Sequence, residues 1–532
     1  MHSRFAACLL GIAGVLVCAR LFIVRSDAEP RSGSTDDLVI HKPCRFQMPF
    51  IFDEVASSLE PESLVARLRP LEGIVLLRTA LFDTPTARYS FVSAEPFLRF
   101  RSFGARCETS SGGQTTVQFG NPWHLLDALM ARFEILDELD LPFPLGGCFG
   151  FWGFGLKGFV EPRLPRRALN DLELPDCDVG FYDSLVVFDH YLGKRWVIST
   201  GLGTDGARCG RRASDRAKFW TSKLADETHV STDQNDRCAP RISRSHDPIG
   251  SPIRSTVSRA GFLKAVERAQ NYIRSGDIYQ VNLSHRLTVR TRSTGWHIYK
   301  QLLSVSPAPF SAYYDSGPFQ IASSSPELFL RITGAHIQTR PIKGTRPRSA
   351  DPDCDARLNY ELLTSPKELA ELVMITDLLR NDLGKICEYG SIRVPQLVTL
   401  ERYPQVQHLV STIEGRLRTD TTHFKAFASS FPGGSVTGAP KIRALEIIDE
   451  LESVARGPYT GALGYLGFNR ESQLSILIRT AVCHGSAVHF NVGAGIVADS
   501  DPAAEYAETM AKAGGFIGAL HLRNHPEPSA LK

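Results

Sequence analysis

Short apolar runs, closed by turn residues and present in both halves of the chain, constrain the fold more than any other feature. Between Cys44 and Thr200 they are Ile74–Leu77, Tyr89–Val92, Phe97–Phe100, Gly146–Gly153 and Ser184–Phe188, which predicts a strand-rich region. A second set, Gly461–Phe468, Leu474–Ile478 and Ala487–Val492, lies toward the other end. Helical patterns fall between the runs rather than after each one. Ser258 heads one as N-cap, with Phe262, Val266 and Ile273 on one stripe and Gly276 past its end. Ser365 heads another, with Pro366 in the first turn and Glu368 at the capping-box position. A last helix follows Asp501-Pro502 and runs to about Leu520. Runs of strands with helices segregated between them predict an α+β architecture instead of regular βαβ alternation.

The 532 residues, 43% hydrophobic and 22% charged, suffice for more than one core and exclude a disordered chain. Sixty basic against 57 acidic residues leave a formal charge of +3, which gives no nucleic-acid surface. Eleven cysteines without a CxxC pair suggest neither a zinc site nor a disulfide framework, and fit a reducing, cytoplasmic setting. Residues 1–37 form an apolar N-terminal segment, in which Ala6 to Ala19 is nearly all apolar or small between Arg4 and Arg20. A targeting signal, an anchor and a start codon placed upstream of the folded part all remain open, with the anchor the least favoured. The expected organisation is a first domain over 38–200, a polar linker or surface excursion over 201–257, a second domain over 258–520, and a tail over 521–532.

Chemistry concentrates in the second domain. Pro341-Ile-Lys-Gly-Thr-Arg-Pro-Arg348 sets Lys343 beside a Gly-Thr turn and two arginines, whose positive charge would favour the neutral, nucleophilic amine. The alternative reading is a basic surface turn. Glu368 with Glu371, and Glu505 with Glu508, each share one helix face, and two such helices facing one cleft would offer oxygen ligands to a hard cation such as Mg²⁺. Two solvated helix faces would read the same. Pro432–Lys441 and Val492–Ile496 are glycine-rich but lack the spacing of a nucleotide phosphate loop, so they support an oxyanion contact and no nucleotide. Gly146-Gly-Cys-Phe-Gly150 mimics a nucleophile elbow and His525-Pro-Glu527 a glutaminase ending, yet they are separated by the whole second domain. The first is read as a glycine-rich strand and the second as a frayed end.

Taken in order, Gly276–Leu283, Ser324–Phe329, the Lys343 segment, Ala370–Gly384, His408–Ser411, Phe431–Arg443 and Ile478–Thr480 resemble the chorismate-utilising enzymes. A weaker match through Arg88–Pro96 and Leu174–Asp183 extends the resemblance over most of the first domain. Within the family the chain is most similar to aminodeoxychorismate synthase component I. That resemblance implies a two-lobed antiparallel β-sandwich core with helices packed outside. It implies amination of chorismate at C4 to 4-amino-4-deoxychorismate, for 4-aminobenzoate and folate synthesis, with ammonia from a separate class I glutaminase subunit. The resemblance gives Lys343 the role of nucleophile at C2 and Glu327 that of proton donor at C4, the latter with a pKa raised by burial or neighbouring carboxylates. Glu371 and Glu508 would hold Mg²⁺, supported by Glu368 and Glu505. Arg479 would clamp a substrate carboxylate, and Gly344, Thr345, His408, Tyr459, Gly493, Ala494 and Gly495 would contact substrate. Anthranilate synthases carry alanine where this chain has Lys343, and isochorismate and salicylate synthases carry a lysine where it has Gln280. Anthranilate synthase component I is the alternative. A tryptophan site like that of some relatives is not expected, because the chain reads Leu76-Leu-Arg-Thr79 where an acidic residue and a serine would stand, although Pro307–Ser311 is kept.

Overall fold

A computed structural model describes residues 50–69, 71–79, 88–135, 141–225, 253–403 and 406–521. The segment 1–37, the tail beyond 521 with its His-Pro-Glu run, and positions 226–252 of the polar stretch lie outside the described residues.

Two antiparallel sheets of twelve strands each, counted among the described residues, make up the protein. The first runs in the order Ile51–Glu54, Lys194–Ser199, Ser184–Asp189, Tyr89–Ser93, Val75–Arg78, Phe310–Asp315, Phe319–Ser325, Thr480–His484, Ala487–Ile496, Gln280–Arg290, Arg254–Ser255. The short Gly438–Ala439 pairs with Gln280–Arg290 beside it. The second runs Ile342–Pro347, Val406–Arg416, His336–Arg340, Leu328–Thr333, Glu471–Ile476, Ala462–Gly467, Gly147–Trp152, Cys177–Tyr182, Leu98–Phe103, Arg106–Ser111, Gln114–Phe119. Arg393–Arg402 pairs with Val406–Arg416 outside that order. Each sheet takes strands from both stretches that the sequence divides at 201–257, so neither stretch keeps a sheet to itself.

Side-chain alternation explains the layering. Every residue of Ser184–Asp189 is buried. Leu185 and Val187 point into a core shared with Phe149, Phe151, Leu463 and Tyr465 of the other sheet. Val186 and Phe188 point the opposite way, into a cluster with Leu64 and Leu68, Trp220, Trp296, and Phe516 from four helices. A strand covered on both faces must be apolar throughout, which is why it reads as an unbroken run. The second sheet is covered likewise: Leu98, Phe100 and Ile332 meet Trp123, Phe427, Ile375 and Leu379 of helices Pro122–Ala131, His423–Ser430 and Pro366–Gly384. This is the α+β sandwich with helices outside that the resemblance implied.

The helix ends follow the sequence. Ser258 Oγ accepts from Gly261 N (3.1 Å) at the head of Arg259–Arg274, and Gly276 takes φ +77° beyond it. Ser365 Oγ accepts from Glu368 N (3.4 Å) at the head of Pro366–Gly384. The polar stretch departs from its reading as a linker, because Gly210–Ala225 is a helix. Its Ala213, Ala217, Trp220 and Leu224 are buried, and Trp220 Nε1 donates to Ser184 Oγ (3.0 Å). One narrow apolar face on an otherwise charged helix is enough to dock it, and the average composition hides that face. Gly147–Gly150 belongs to strand Gly147–Trp152, with Cys148 fully buried and its thiol raised well above the ordinary value by burial. Among the described residues no helix is long and apolar enough to cross a membrane.

Candidate active site

Strand Ile342–Pro347 bulges between Lys343 and Thr345 where it pairs with Val406–Arg416. Gly344 makes the bulge possible: it sits at φ +61°, and a Cβ there would stand 2.7 Å from Leu362 and 3.1 Å from Glu368 Oε2. The bulge sends neighbouring side chains to different partners. Lys343 Nζ donates to Glu371 Oε1 (2.7 Å) and to the Ser435 carbonyl (3.1 Å). Thr345 Oγ1 hydrogen-bonds His408 Nδ1 (2.9 Å). The two arginines beside Lys343 have carboxylate partners of their own. Arg346 pairs with Glu368 (3.7 Å) and Arg348 with Asp355 (2.9 Å), so each charge is matched by its own carboxylate, and Lys343 has a carboxylate beside it as well.

Glu327 stands at the turn after Phe319–Ser325 and is 4% exposed. Burial pushes its carboxyl up to about 7, against the opposing pull of the Ser435 hydroxyl, the Lys343 charge and the Ile342 N–H. It is therefore half protonated near neutrality, as a proton donor needs. Ser435 thus meets both central groups, its carbonyl at Lys343 and its hydroxyl at Glu327. Ser435 lies in the glycine-rich motif Phe431–Arg443, where nothing local in the sequence distinguishes it from its neighbours. Lys441 secures that loop: its buried Nζ bonds Asp382 of helix Pro366–Gly384, the Ser430 carbonyl (3.1 Å) and the Pro432 carbonyl (2.9 Å).

The four glutamates of the two acidic pairs have unequal surroundings. Burial and the nearby charges of Glu371 and Glu508 raise Glu368, with Arg346 and Lys367 opposing, which puts carboxylates of both helices in one electrostatic neighbourhood. Burial alone would raise Glu371 too, but Lys343 and the Gln280 amide outweigh it and hold the group below its ordinary value. Glu505 is buried and committed, accepting from Ser500 Oγ (2.6 Å) with Lys367 3.6 Å away. Glu508 is half exposed and pairs with Lys512 (2.8 Å). Among the described residues, no three acidic, histidine or cysteine side chains are grouped as a metal centre as they stand. Hard carboxylate oxygens from two helices in one neighbourhood nonetheless suit a hard divalent cation.

Opposite these helices, strands Gln280–Arg290 and Ala487–Ile496 pair in register, Asn282 with Gly495 and Ser284 with Gly493. A Cβ on Gly495 would stand 3.1 Å from Glu371 Oε1, and one on Gly493 would stand 2.9 Å from Asn282 Oδ1 and 3.0 Å from Tyr459 Oη. Both glycines leave room where ligand atoms can approach the main chain. Ala494 between them turns its side chain into an apolar cluster with Leu283 and Leu445, so only its main chain can face the cleft. Arg479 adopts φ +49° and is partly buried; burial lowers its guanidinium from the ordinary value. It has no ion-pair or side-chain hydrogen-bond partner among the described residues. A guanidinium without an acidic partner suits a ligand's carboxylate by charge and by its two-pronged geometry. His408, 1% exposed, is held neutral, its pKa lowered to about 4 by burial and by Arg479, and its Nε2 is buried without a partner.

In the first stretch, Arg78 spends its guanidinium internally, on Glu62 (2.7 Å) and the Thr79 carbonyl (2.7 Å).

A lysine, a carboxyl raised by burial, an arginine with no acidic partner among the described residues, and carboxylates of two helices together frame an enzyme acting on a small anionic substrate. The match to the chorismate binding enzyme family spans residues 78–518, and the chain belongs to that family. It is 36% identical over 477 residues to anthranilate synthase component 1 of Acetivibrio thermocellus, covering 89% of this chain and 95% of that one. It is 35% identical over 436 residues to aminodeoxychorismate synthase component 1 of Bacillus subtilis (strain 168), covering 82% and 90%. Among solved structures, anthranilate synthase component I from Streptococcus pneumoniae TIGR4 superposes with TM-score 0.69 at 28% identity, covering 87% of this chain and 98% of that one.

Proposed function

We propose that this protein aminates chorismate at C4 with ammonia, giving 4-amino-4-deoxychorismate and water. The observation that carries the reading is the Lys343 amine, held beside the half-protonated Glu327 through their common neighbour Ser435. Direct amination at C2, the anthranilate reaction, has no use for such an amine. Lys343 Nζ adds to C2 of the ring, the double bonds shift, and the C4–O bond breaks as Glu327 gives its proton to the leaving hydroxyl. Ammonia then bonds to C4 and returns a proton to Glu327, the double bonds shift back, and the C2–N bond breaks with its electron pair leaving on Lys343. One difficult displacement becomes two easier steps. As placed, Nζ donates to Glu371 and Ser435, and in the neutral amine those two N–H groups leave the lone pair as the position that attacks.

Arg479 orients a substrate carboxylate, and neutral His408, fixed through Thr345, offers Nε2 to the reacting region. Glu371 and Glu508, with Glu368 and Glu505 behind them, would hold Mg²⁺. The ion would supply charge neutralisation at the ring carboxylate and would compete with Lys343 for Glu371. Buried Cys148 offers no thiolate for glutamine hydrolysis, which supports ammonia from a separate glutaminase subunit or from solution. The second reading is anthranilate synthase component 1, favoured by relatives of that name at the same level of identity. Incubation with chorismate, ammonium and Mg²⁺, followed by mass analysis, separates the two. Fluorescent anthranilate as the main product would sink the first reading.

Two outcomes follow for single residues. Because Glu327 must carry a proton when the hydroxyl leaves, kcat should fall as pH rises through about 7, and Glu327→Gln should lose about 10²- to 10⁴-fold together with that limb of the profile. Arg479→Met should raise the chorismate KM by about 10- to 100-fold. Since Arg479 leaves no partner stranded, Tm should hold or rise, whereas a clear drop would mark it as a structural residue.

A further inference from the structure

Beside Glu371, two carboxamide oxygens find no hydrogen-bond partner among the described residues. Gln280 Oε1 and Asn282 Oδ1 are both buried without a hydrogen-bond partner, and as residues two apart on one strand they share a face. Gln280 is tethered, its Nε2 donating to Glu371. The Asn282 side chain makes no hydrogen bond, although its backbone is pinned at both ends: N donates to the Thr437 carbonyl (2.8 Å) and O accepts from Arg456 Nη2 (2.7 Å). That same arginine lies over the Tyr459 ring (5.8 Å) and donates to Thr460 Oγ1 (3.1 Å), so the positions of Asn282 and Tyr459 depend on one another. Asn282 Oδ1 and Tyr459 Oη then converge on Gly493, each about 3 Å from where a Cβ would be. A rigid, solvent-poor acceptor facing a glycine-made gap is costly unless a ligand donor fills it.

The substrate of the proposed reaction brings few donors. Chorismate carries two ionised carboxylates, an enol ether and a single hydroxyl at C4, and the only other reactant with hydrogens to donate is ammonia, which replaces that hydroxyl. We propose that Asn282 is a specificity contact at the reacting carbon, its Oδ1 accepting first from the C4 hydroxyl and then from an N–H of the incoming ammonia. This rests on the reading of the protein as a chorismate-aminating enzyme. The glycine-rich loop joins the parts, since Ser435 meets Glu327 and Lys343 while Thr437, two residues on, holds the Asn282 backbone.

The test compares chorismate with its analogue bearing hydrogen in place of the C4 hydroxyl, by calorimetry with Mg²⁺ in a Lys343→Ala background where no adduct forms. That background should bind chorismate about tenfold more tightly than the analogue. Adding Asn282→Leu, or Asn282→Ala, should equalise the two affinities. A ratio taken within one variant is not moved by loss of stability as such, and Asn282→Leu alone should leave Tm unchanged or raised. Preference for the hydroxyl that survives both substitutions, or that vanishes in Gln280→Leu but not in the Asn282 variants, overturns the proposal while leaving the aminating function intact. Failure of the Lys343→Ala protein to bind chorismate at all would overturn the functional reading itself.

Discussion

Replacing Lys343 with alanine is expected to lower 4-amino-4-deoxychorismate formation by on the order of 10³-fold or more, because the covalent route disappears with the amine that forms the adduct. Chorismate binding should survive, since Arg479 and the glycine cradle are untouched. What activity remains should shift toward anthranilate, the product of direct amination at C2. The wild-type protein, quenched during turnover without ammonia, should gain the mass of chorismate less one water on the peptide that contains Lys343. Undiminished 4-amination by the alanine variant would refute the assignment of the nucleophile, and its failure to bind chorismate would overturn the functional reading itself.

Removing Glu371 should cost nearly as much, for a different reason. Its carboxylate accepts from Lys343 and Gln280 in the structure and is the proposed ligand for Mg²⁺. Glu371→Ala should lower turnover by about 10²-fold or more and abolish the dependence of chorismate affinity on Mg²⁺. Glu508→Ala should move the same two quantities. Glu505→Gln should do less to the Mg²⁺ dependence, because Glu505 is buried and already answered by Ser500 and Lys367. Calorimetry with substrate present checks this: normal Mg²⁺ binding by both alanine variants would place the metal elsewhere.

Local chemistry was legible wherever it depends on neighbours in the chain. Ser258 and Ser365 act as N-caps because a hydroxyl one residue before a helix can reach an N–H within its first turn. Ala462–Gly467 and Ala487–Ile496 are strands because their apolar runs are too short and too densely apolar for anything but a doubly covered sheet. The helix at Gly210–Ala225 escaped notice, since four buried side chains in sixteen residues are a signal only once the sheet they dock against is known. The interleaving of strands across the polar stretch was also invisible, because pairing between residues hundreds of positions apart leaves no local trace.

The sequence by itself determined the kinds of group available: one lysine in a glycine-threonine bulge, carboxylates at helical spacing, an arginine after a strand, and motifs whose order marks a chorismate-binding enzyme. Tertiary structure decided what each group is free to do. It matched Arg346 and Arg348 with carboxylates and left Arg479 without one, buried Glu327 until its proton is retained to about pH 7, and stranded the Asn282 oxygen beside a glycine. The reason is physical: hydrogen-bond satisfaction and desolvation depend on which surfaces meet, and those surfaces come from segments that the chain keeps far apart.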